Sequence, residues 1–409
     1  MPPPISASNP AKPARVAVVA AGIVSPLGFG VEETFASLRE ARDCVSPVSA
    51  FPVDRCRCQT AGQVADARLA EANRLHDHPE RLHRVAQMMI LALGEALAQA
   101  RDFRPELTVM GTTSGGMTFG EQYYRSLSPR GMPKRHAPSL IANYTQQKPI
   151  MDAQEAFDIG APCQVIANAC ASGTNAIGHA FHCIRSGSYE RVLAGGYDAI
   201  SELVFVGFDS LQAATPDRCR PFDNGRTGLV LGEGAAVLAL ENLDTARKRG
   251  APILAEVIGY GISTDNYHLT QPDPSGSGPR AAMEAALRSA GIGAGEIDYI
   301  NAHGTATPFN DASEGKAIAD LFNGVPVSST KGMMGHSLGA AGAIEAVFSL
   351  LALRHQILPA NINFRGGDAG LDLNIVANEA KPGPVRTVLS NSFGFGGTNA
   401  SIIMRSIAA

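Results

Sequence analysis

The sequence predicts an α/β protein made of two similar halves, in which mostly parallel sheets are covered by helices on both faces. Short apolar segments of strand length alternate with longer segments of helical periodicity along the chain. The strand segments are apolar without alternation, which is typical of strands buried on both faces of a parallel sheet. In each half one strand leads through an unusual loop into a helix, with Cys170 in the first loop and His336 in the second. These two units indicate an internal duplication.

The first half covers residues 15–252. Its predicted strands are short apolar runs that end at glycine or other small residues, at 15–21, 107–110, 164–167 and 191–196. Its predicted helices lie at 31–39, 81–100 and 174–185. Residues 1–14 are rich in proline, alanine and serine and lack the apolar core of a signal peptide, so we expect a disordered tail there.

The second half, residues 253–409, repeats this order of elements. Its predicted strands lie at 253–262, 297–301, 325–329, 389–393 and 401–404. Its predicted helices lie at 278–290, where Gly291 is a stop signal, and at 339–353.

The composition excludes several classes of protein. Of the 409 residues, 45% are hydrophobic and 18% are charged, as in a compact protein rather than a disordered chain. The net charge of −4 gives no overall basic field for nucleic acid. No uncharged apolar run reaches the ~18 residues of a membrane span. The 7 cysteines have irregular spacing without a zinc pattern, so we expect reduced thiols in a cytoplasmic protein.

Cys170 is the strongest candidate for a nucleophile. It lies where a strand gives way to a helix, in the small-residue turn Asn168-Ala-Cys-Ala-Ser-Gly. A thiol at a helix N-terminus feels the positive end of the helix dipole, which lowers its pKa. A sharp turn also directs main-chain N–H groups toward a nearby oxyanion. The alternative is a buried structural cysteine, which is the more usual role of a lone cysteine.

His303 and His336 are the two histidines in comparable settings. His303 follows a strand in Asn301-Ala-His-Gly-Thr, and His336 precedes a helix in Gly335-His-Ser-Leu-Gly. Both lie in loops at strand ends, where open α/β sheets place their sites. A cysteine with histidines distant in sequence fits a folded thiol site. Metal ligation by these three residues stays open as the alternative, although no short-range pair of ligands supports it.

Three charged residues occur in settings where a solvated charge is not expected. Lys331 follows a strand five residues before His336, a position that suits a fixed positive charge. Glu345 is the only charged residue from 337 to 353, in a helix of small and apolar residues, so its carboxylate needs a partner. Glu314 is a weaker candidate of the same kind. The alternative for Glu345 is a purely structural ion pair.

The densest cluster of glycines is Asn391-Ser-Phe-Gly-Phe-Gly-Gly-Thr-Asn near the C-terminus. It is not a phosphate loop, because no Lys-Ser/Thr follows and no helix begins after it. Main-chain donors at such a turn suit an oxyanion hole. Phe393 or Phe395 suits a residue that covers a pocket.

Together these motifs resemble the β-ketoacyl-acyl carrier protein synthases of types I and II. The resemblance extends from about Arg15 to Arg405 and rests on four ordered motifs, around Cys170, His303, Lys331 with His336, and Phe395. It implies the thiolase fold, with five layers in the order αβαβα, and a dimer. It also implies decarboxylative Claisen condensation, in which an acyl chain on Cys170 is joined to a malonyl unit. Both substrates would arrive on the phosphopantetheine of acyl carrier protein, and no metal or nucleotide cofactor is needed.

The resemblance also implies roles for the other residues. His303 and His336 would assist decarboxylation by hydrogen bonding to the malonyl thioester carbonyl, and main-chain N–H groups of Cys170 and Phe395 would hold the acyl oxyanion. Lys331 and Glu345 would fix the histidines, and Glu314 would be the partner of Lys331. Thr305 and Thr307 would contact phosphopantetheine.

Other functions of this fold fit the residues less well. A thiolase would be expected to carry a second catalytic cysteine near the C-terminus, but the last cysteine is Cys219. Type III synthases have one histidine and one asparagine instead of two histidines. A chain-length factor, the non-catalytic binding subunit of some polyketide systems, lacks the active cysteine. Housekeeping fatty-acid elongation stays open as the main alternative to a specialised pathway.

Departures from the family pattern favour a specialised acyl substrate; the alternative for each one is sequence drift or compensated packing. Thr113-Ser114-Gly115 stands where a bulky apolar gate is usual, and the segments 136–138 and 143–147 are more polar or shorter than expected. We therefore expect Ser114 to line a wider acyl channel, as in a polyketide or polyene pathway. The second subunit of the dimer is either identical or a related chain.

A local basic patch is expected to bind the acidic carrier protein, although the whole chain is acidic. The candidates are Arg81, Arg84, Lys134 and Arg135. The alternative is ordinary solvated surface charge.

Overall fold

The computed structural model describes residues 13–127 and 137–407. Ten strands form the framework, five in each half. In the first half they are β1 (Val16–Ser25), β2 (Leu107–Gly111), β3 (Cys163–Ile166), β4 (Arg191–Asp198) and β5 (Gly234–Asn242). In the second half they are β6 (Ala255–Thr264), β7 (Tyr299–Asn301), β8 (Pro326–Ser328), β9 (Thr387–Gly394) and β10 (Thr398–Arg405).

Six of the helices are labelled α1 (Arg84–Gln99), α2 (Lys148–Ala156), α3 (Ser172–Arg185), α4 (Ser277–Ala290), α5 (Pro308–Leu321) and α6 (Ala341–His355). Other helical segments are Val31–Arg39, Asp66–Leu69, Ala70–Leu75, Pro79–Arg81, Met117–Ser126, Ala137–Ala142, Glu202–Ser210, Leu243–Lys248, Ala294–Glu296, Lys331–Met334 and Leu338–Ala340. Short strands are Gly28–Phe29, Val45–Pro47, Thr60–Gly62, Leu231–Gly232, Ile357–Leu358, Asn374–Ile375 and Lys381–Pro382.

The two halves share one strand order, which confirms the predicted duplication. The first half has the order β3-β2-β4-β5-β1 and the second has β8-β7-β9-β10-β6. In both halves, the first three strands in this order are parallel to one another. Each of the last two strands is antiparallel to the strand before it in the order. The halves are joined by antiparallel pairing of Val16–Val18 in β1 with Ala255–Val257 in β6.

The helices form three layers around these strands, so the predicted five-layer arrangement is confirmed. Helices α3 and α6 pack against each other between the halves. Helix α1 covers β1 and β5 on one outer face, and α4 covers β6 and β10 on the other. Every residue of α6 from Ala341 to Leu353 is buried, because a helix that is apolar on all sides fits only an interior layer.

One helical segment in the described part of the chain, Leu338–His355, is long and apolar enough to cross a membrane. It is 89% buried within the protein. It is therefore the central core helix of the fold.

The differences from the sequence-based elements are local. The predicted helix 81–100 begins instead at Arg84, because the His83 side chain accepts the Val85 N–H and so caps the helix. Arg81 lies in the separate short turn Pro79–Arg81. The elements that the prediction lacks include the helices α2 and α5 and the strand β5, whose run Gly-Ala-Ala-Val-Leu-Ala-Leu is apolar throughout.

Candidate active site

Cys170 lies in a tight turn between β3 and α3, as expected from the sequence. Ser172, the first residue of α3, donates its hydroxyl to the Ala169 carbonyl at 2.5 Å and accepts the Asn168 N–H at 2.9 Å. Ala169 has a positive φ of 56°, a conformation that is unfavourable for a residue with a side chain. The turn is thus held by its own hydrogen bonds, and it presents Cys170 at the start of the helix.

Two histidines from the second half meet this cysteine. The Sγ of Cys170 and one ring nitrogen each of His303 and His336 all lie within 4.8 Å of one another. The two rings are perpendicular, with centroids 5.1 Å apart. All three residues are buried, and both ring nitrogens of His336 lack a hydrogen-bond partner in the described part of the protein. They are thus available to a substrate. This spacing also suits a metal ion, so geometry alone leaves that alternative in place.

Burial keeps the three groups neutral in the free protein. It raises the pKa of the Cys170 thiol to about 12, although the nearby Lys331 charge acts in the opposite direction. The predicted lowering of this pKa by the helix dipole is therefore outweighed by desolvation. Burial, assisted by the positive charge of Lys331, also holds the pKa values of His303 and His336 well below their ordinary value. Neutral imidazoles can donate or accept a hydrogen bond as the reaction requires.

Lys331 and Glu345 form a buried ion pair beside the histidines. The Lys331 ammonium group donates to Glu345 Oε1, and the side chains are only 2% and 3% exposed. Burial raises the pKa of Glu345 to about 7, while Lys331 opposes the shift. The partner that Glu345 was expected to need is thus Lys331, which lies in the loop after β8.

Glu314 has a different partner from the one expected. Instead of pairing with Lys331, its carboxylate accepts the main-chain N–H groups of His303 and Gly304, at 2.8 and 2.7 Å, and the Asn391 side-chain amide at 3.1 Å. Burial raises its pKa to about 7, and these hydrogen bonds lower it in part. Glu314 therefore fixes the loop that carries His303. The expectation of a Glu314–Lys331 pair is wrong, because Glu345 occupies the lysine.

The glycine-rich turn after β9 closes against Cys170. A Cβ atom on Gly394 would lie 3.1 Å from the Cys170 main-chain nitrogen, so glycine permits this approach. Phe393 packs edge-on against His303, with centroids 5.9 Å apart, and Phe395 stacks on Phe208. The turn thus places its main chain beside the cysteine and its aromatic rings around the site.

A cavity of about 210 Å³ connects these groups to the surface. Its lining includes Cys170, His303, His336, Thr305, Thr307, Phe393, Phe395, Phe208, Leu211 and Phe309. The hydroxyl groups of Thr305 and Thr307 are hydrogen-bonded at 2.8 Å. The last three lining residues were not expected from the sequence. Leu211 and Phe309 are 59% and 55% exposed, and such exposed apolar side chains are a signal of a binding surface that only the structure provides.

Ser114 does not line this cavity, contrary to the expectation. It is buried, and its hydroxyl donates to Asp198 Oδ1 at 2.7 Å. The acceptor is 84 residues away in sequence, so a local sequence pattern does not reveal the contact. Ser114 is thus part of an internal hydrogen-bond network.

The basic residues proposed for carrier binding differ in placement. The side chain of Arg84 is 21% exposed and is bound to the fully buried Glu233 and to Asp66. Contrary to the expectation, Arg84 is therefore not a free surface charge. Arg81 is exposed, with Glu80 at 3.5 Å. Lys134 and Arg135 lie outside the described residues.

Comparisons with known proteins give one consistent result. The β-ketoacyl synthase N-terminal domain matches residues 14–246, and the β-ketoacyl synthase C-terminal domain matches residues 254–365. The chain is 37% identical to 3-oxoacyl-acyl-carrier-protein synthase 2 of Coxiella burnetii, over 95% of this chain and 98% of that protein.

Two solved structures have the same fold. The ishigamide ketosynthase/chain length factor is 34% identical, with a TM-score of 0.89 over 97% of this chain and 100% of the matched chain. A type II polyketide synthase acyl-carrier protein in complex with its ketosynthase bound to the hexaketide gives a match at 28% identity. Its TM-score is 0.87, over 97% of this chain and 100% of the matched chain.

Proposed function

The chain belongs to the β-ketoacyl synthase family and has its thiolase fold, and we propose that it joins an acyl group held on Cys170 to a malonyl unit by decarboxylative condensation. Both substrates are thioesters of acyl carrier protein. The observation that carries the assignment is the convergence of Cys170, His303 and His336 within 4.8 Å at a cavity that opens to the surface.

In the first step, the Cys170 sulfur attacks the acyl thioester. A thiol with a pKa of about 12 is not ionised in the resting protein, so its proton is transferred during the attack. A neutral imidazole lies within 4.8 Å to accept it. The carrier thiolate then leaves with that proton, and the acyl group stays on Cys170 as a thioester.

In the second step, malonyl carrier protein enters and loses carbon dioxide. The N–H groups of His303 and His336 donate to its thioester carbonyl and stabilise the enolate charge that develops. The enolate carbon attacks the acyl thioester, and the main-chain N–H groups of Cys170 and Phe395 hold the resulting oxyanion. Collapse of this intermediate expels the Cys170 thiolate and releases the β-ketoacyl product on the carrier. The thiolate is then reprotonated.

The surrounding residues keep this arrangement in place. Burial, assisted by the positive charge of Lys331, keeps the histidines neutral. Glu345 fixes Lys331, and Glu314 holds the His303 loop. Thr305 and Thr307 line the route by which a phosphopantetheine arm reaches the cysteine. Phe393 limits the orientation of the His303 ring.

Intact-mass measurement with a panel of acyl carrier proteins tests this function. Wild-type protein should gain the mass of the acyl group on Cys170, and then release β-ketoacyl product when malonyl carrier protein is added. Acylation without product would favour an incomplete or regulatory subunit. No acylation by any donor would support the non-catalytic, chain-length-factor-like alternative. The preferred donor would separate housekeeping elongation from a specialised polyketide or polyene pathway.

The partners and location follow from the same proposal. The carrier protein should dock near Arg81 and the 134–135 segment, and the second subunit is an identical or related chain. Arg81→Glu should raise the KM for acyl carrier protein more at low than at high salt, whereas Arg104→Glu, also exposed, should not. The protein acts in the cytoplasm and needs no metal. Full activity after metal chelation would agree with that, and loss restored by a metal would contradict it.

A further inference from the structure

Asp198, the last residue of β4, is a buried carboxylate with an unusual number of donors. Its Oδ1 accepts the Thr112 hydroxyl at 2.9 Å and the Ser114 N–H and hydroxyl at 2.8 and 2.7 Å. Its Oδ2 accepts the Thr113 N–H at 2.8 Å and the Gly339 N–H at 2.7 Å. A carboxylate has about four lone-pair sites, so these five hydrogen bonds use its accepting capacity fully.

The donors come from the two halves of the chain. Thr112, Thr113 and Ser114 follow β2 in the first half, whereas Gly339 lies three residues after His336 in the second. The contact is close, since a Cβ atom on Gly339 would lie 2.6 Å from the Thr113 nitrogen and 2.8 Å from Asp198 Oδ2. One carboxylate therefore ties the loop 112–114 to the turn that follows His336.

The main chain of His336 is held on both sides. Its N–H donates to the Val230 carbonyl at 2.7 Å, and its carbonyl accepts the Gly232 N–H at 2.9 Å. After His336, the chain is next bound to the first half at Gly339, whose main-chain N–H donates to Asp198 Oδ2. The turn after His336 is thus anchored to the first half by a carboxylate that hydrogen-bonds neither to His336 nor to Cys170.

We propose that Asp198 is a positioning residue for condensation, which sets His336 against Cys170 by fixing the turn after the histidine to the loop 112–114. The proposal rests on the role of His336 in decarboxylation given above. It also gives Ser114 a function, because the hydroxyl that does not line the cavity is one of the donors that complete this network.

The test is a double-mutant cycle on malonyl decarboxylation. Asp198→Asn keeps the size of the side chain but replaces an acceptor oxygen by an amide that faces N–H donors. It should lower kcat by about 10- to 100-fold, as expected for a misplaced catalytic group, with KM for malonyl carrier protein nearly unchanged. In a His336→Ala background the same change should lower kcat by less than about threefold, because the imidazole that Asp198 positions is absent.

Glu241→Gln is the matched control. Glu241 is fully buried and paired with Arg191 and Arg249, and it lies beside the opposite end of β4 from Asp198. Its loss of charge should lower stability without changing decarboxylation.

If Asp198→Asn does not fold, the double variant Thr112→Val/Ser114→Ala removes two donors and keeps the carboxylate. It should show a smaller fall of about 3- to 10-fold, again absent in the His336→Ala background. Equal losses in both backgrounds, or no loss in either, would overturn the proposal. If His336→Ala alone leaves decarboxylation intact, the role of the histidine fails first, and the Asp198 proposal fails with it.

Discussion

The two halves of the protein have the same strand order but supply different parts of the chemistry. In the first half, β3 passes through residues 167–171 directly into α3, and this short turn places Cys170 at the helix start. In the second half, β8 passes through residues 329–340 before α6 begins, and the longer loop contains the short helix Lys331–Met334 and His336. The duplicated framework therefore brings the two loops together. The short loop carries Cys170, and the longer one has room for Lys331 and His336.

The helices that follow these loops differ in the same way. Helix α3 has an exposed face that includes His179 and His182, whereas α6 is buried over nearly its full length. The interior helix α6 of the second half therefore contributes Glu345, whose pair with Lys331 is held away from water. In the proposed mechanism, the first half holds the acyl group and the second half activates the malonyl unit.

The largest effect should come from the first half. Cys170→Ala removes the atom that carries the acyl group, so condensation should fall by about 10⁴-fold or more, with a folded protein retained. Intact mass should show no acyl-enzyme. Cys183→Ala, the same change near the other end of α3, should keep normal acylation. Condensation at a near wild-type rate by Cys170→Ala would disprove the assignment of the nucleophile.

Breaking the charge pair of the second half should lower stability strongly. Lys331→Met leaves Glu345 buried without a partner and should reduce the free energy of unfolding by about 3–5 kcal/mol. The double variant Lys331→Met/Glu345→Gln should recover a large part of this loss, although not activity. Denaturant unfolding of the two variants and wild type measures the difference. A double variant as unstable as Lys331→Met would mean that other contacts of the lysine matter more than the pair.

The histidines should separate the two half-reactions. His303→Ala and His336→Ala each remove a donor to the enolate and should slow decarboxylation by about 10²- to 10³-fold. Acylation of Cys170 should change less, because the remaining imidazole can still accept the thiol proton. Mass spectrometry of the acyl-enzyme and release of carbon dioxide report the two steps separately. His182→Ala, on the exposed face of α3, is the control. An equal loss of both half-reactions would contradict the division of roles between the halves.

The smallest effect should be the pH dependence that the second half adds to stability. The pKa of Glu345 is about 7 in the folded protein against an ordinary value of 4.5, so protonation favours the folded state. Its contribution is fully present below pH 4.5 and is lost as the pH rises to about 7. The buried histidines act with the opposite sign in this window, because their pKa values are lowered. Comparing unfolding of wild type with Glu345→Gln isolates the carboxyl, and the variant should lose less stability on raising the pH.

Much of the fold could be predicted because strands that are buried on both faces are continuous apolar runs in the sequence. The apolar runs identified nine of the ten framework strands, and the duplication was visible from the two strand–loop–helix units. Strand β5 was missed although its run is as apolar as those of the other strands. An apolar run alone does not separate a strand from a buried helix, and the pairing of β5 with β1 and β4 decides between them.

The site was predictable where local sequence carries the chemistry, and not where tertiary contacts do. Cys170, His303 and His336 stand out among small residues, and Glu345 stands out in an apolar helix. The choice of Glu345 rather than Glu314 as the partner of Lys331 depends on which helix faces the loop, and sequence does not state this. The same holds for Ser114, whose environment is set by the distant Asp198, and for Arg84, which is neutralised by Glu233.

The position of β1 in the middle of the sheet has a consequence for synthesis of the chain. All ten of its residues are buried, and its partners are β5 and β6, so that Val16 pairs with Asn242 and Val257. At translation rates of roughly 5–20 residues per second, β1 waits on the order of 10–45 s before β5 is made. During that time an uncharged apolar strand has no sheet to join. Among the framework strands, β1 therefore has the longest wait between its synthesis and its pairing, and the nascent chain carries this unpaired apolar strand until its first half is nearly complete.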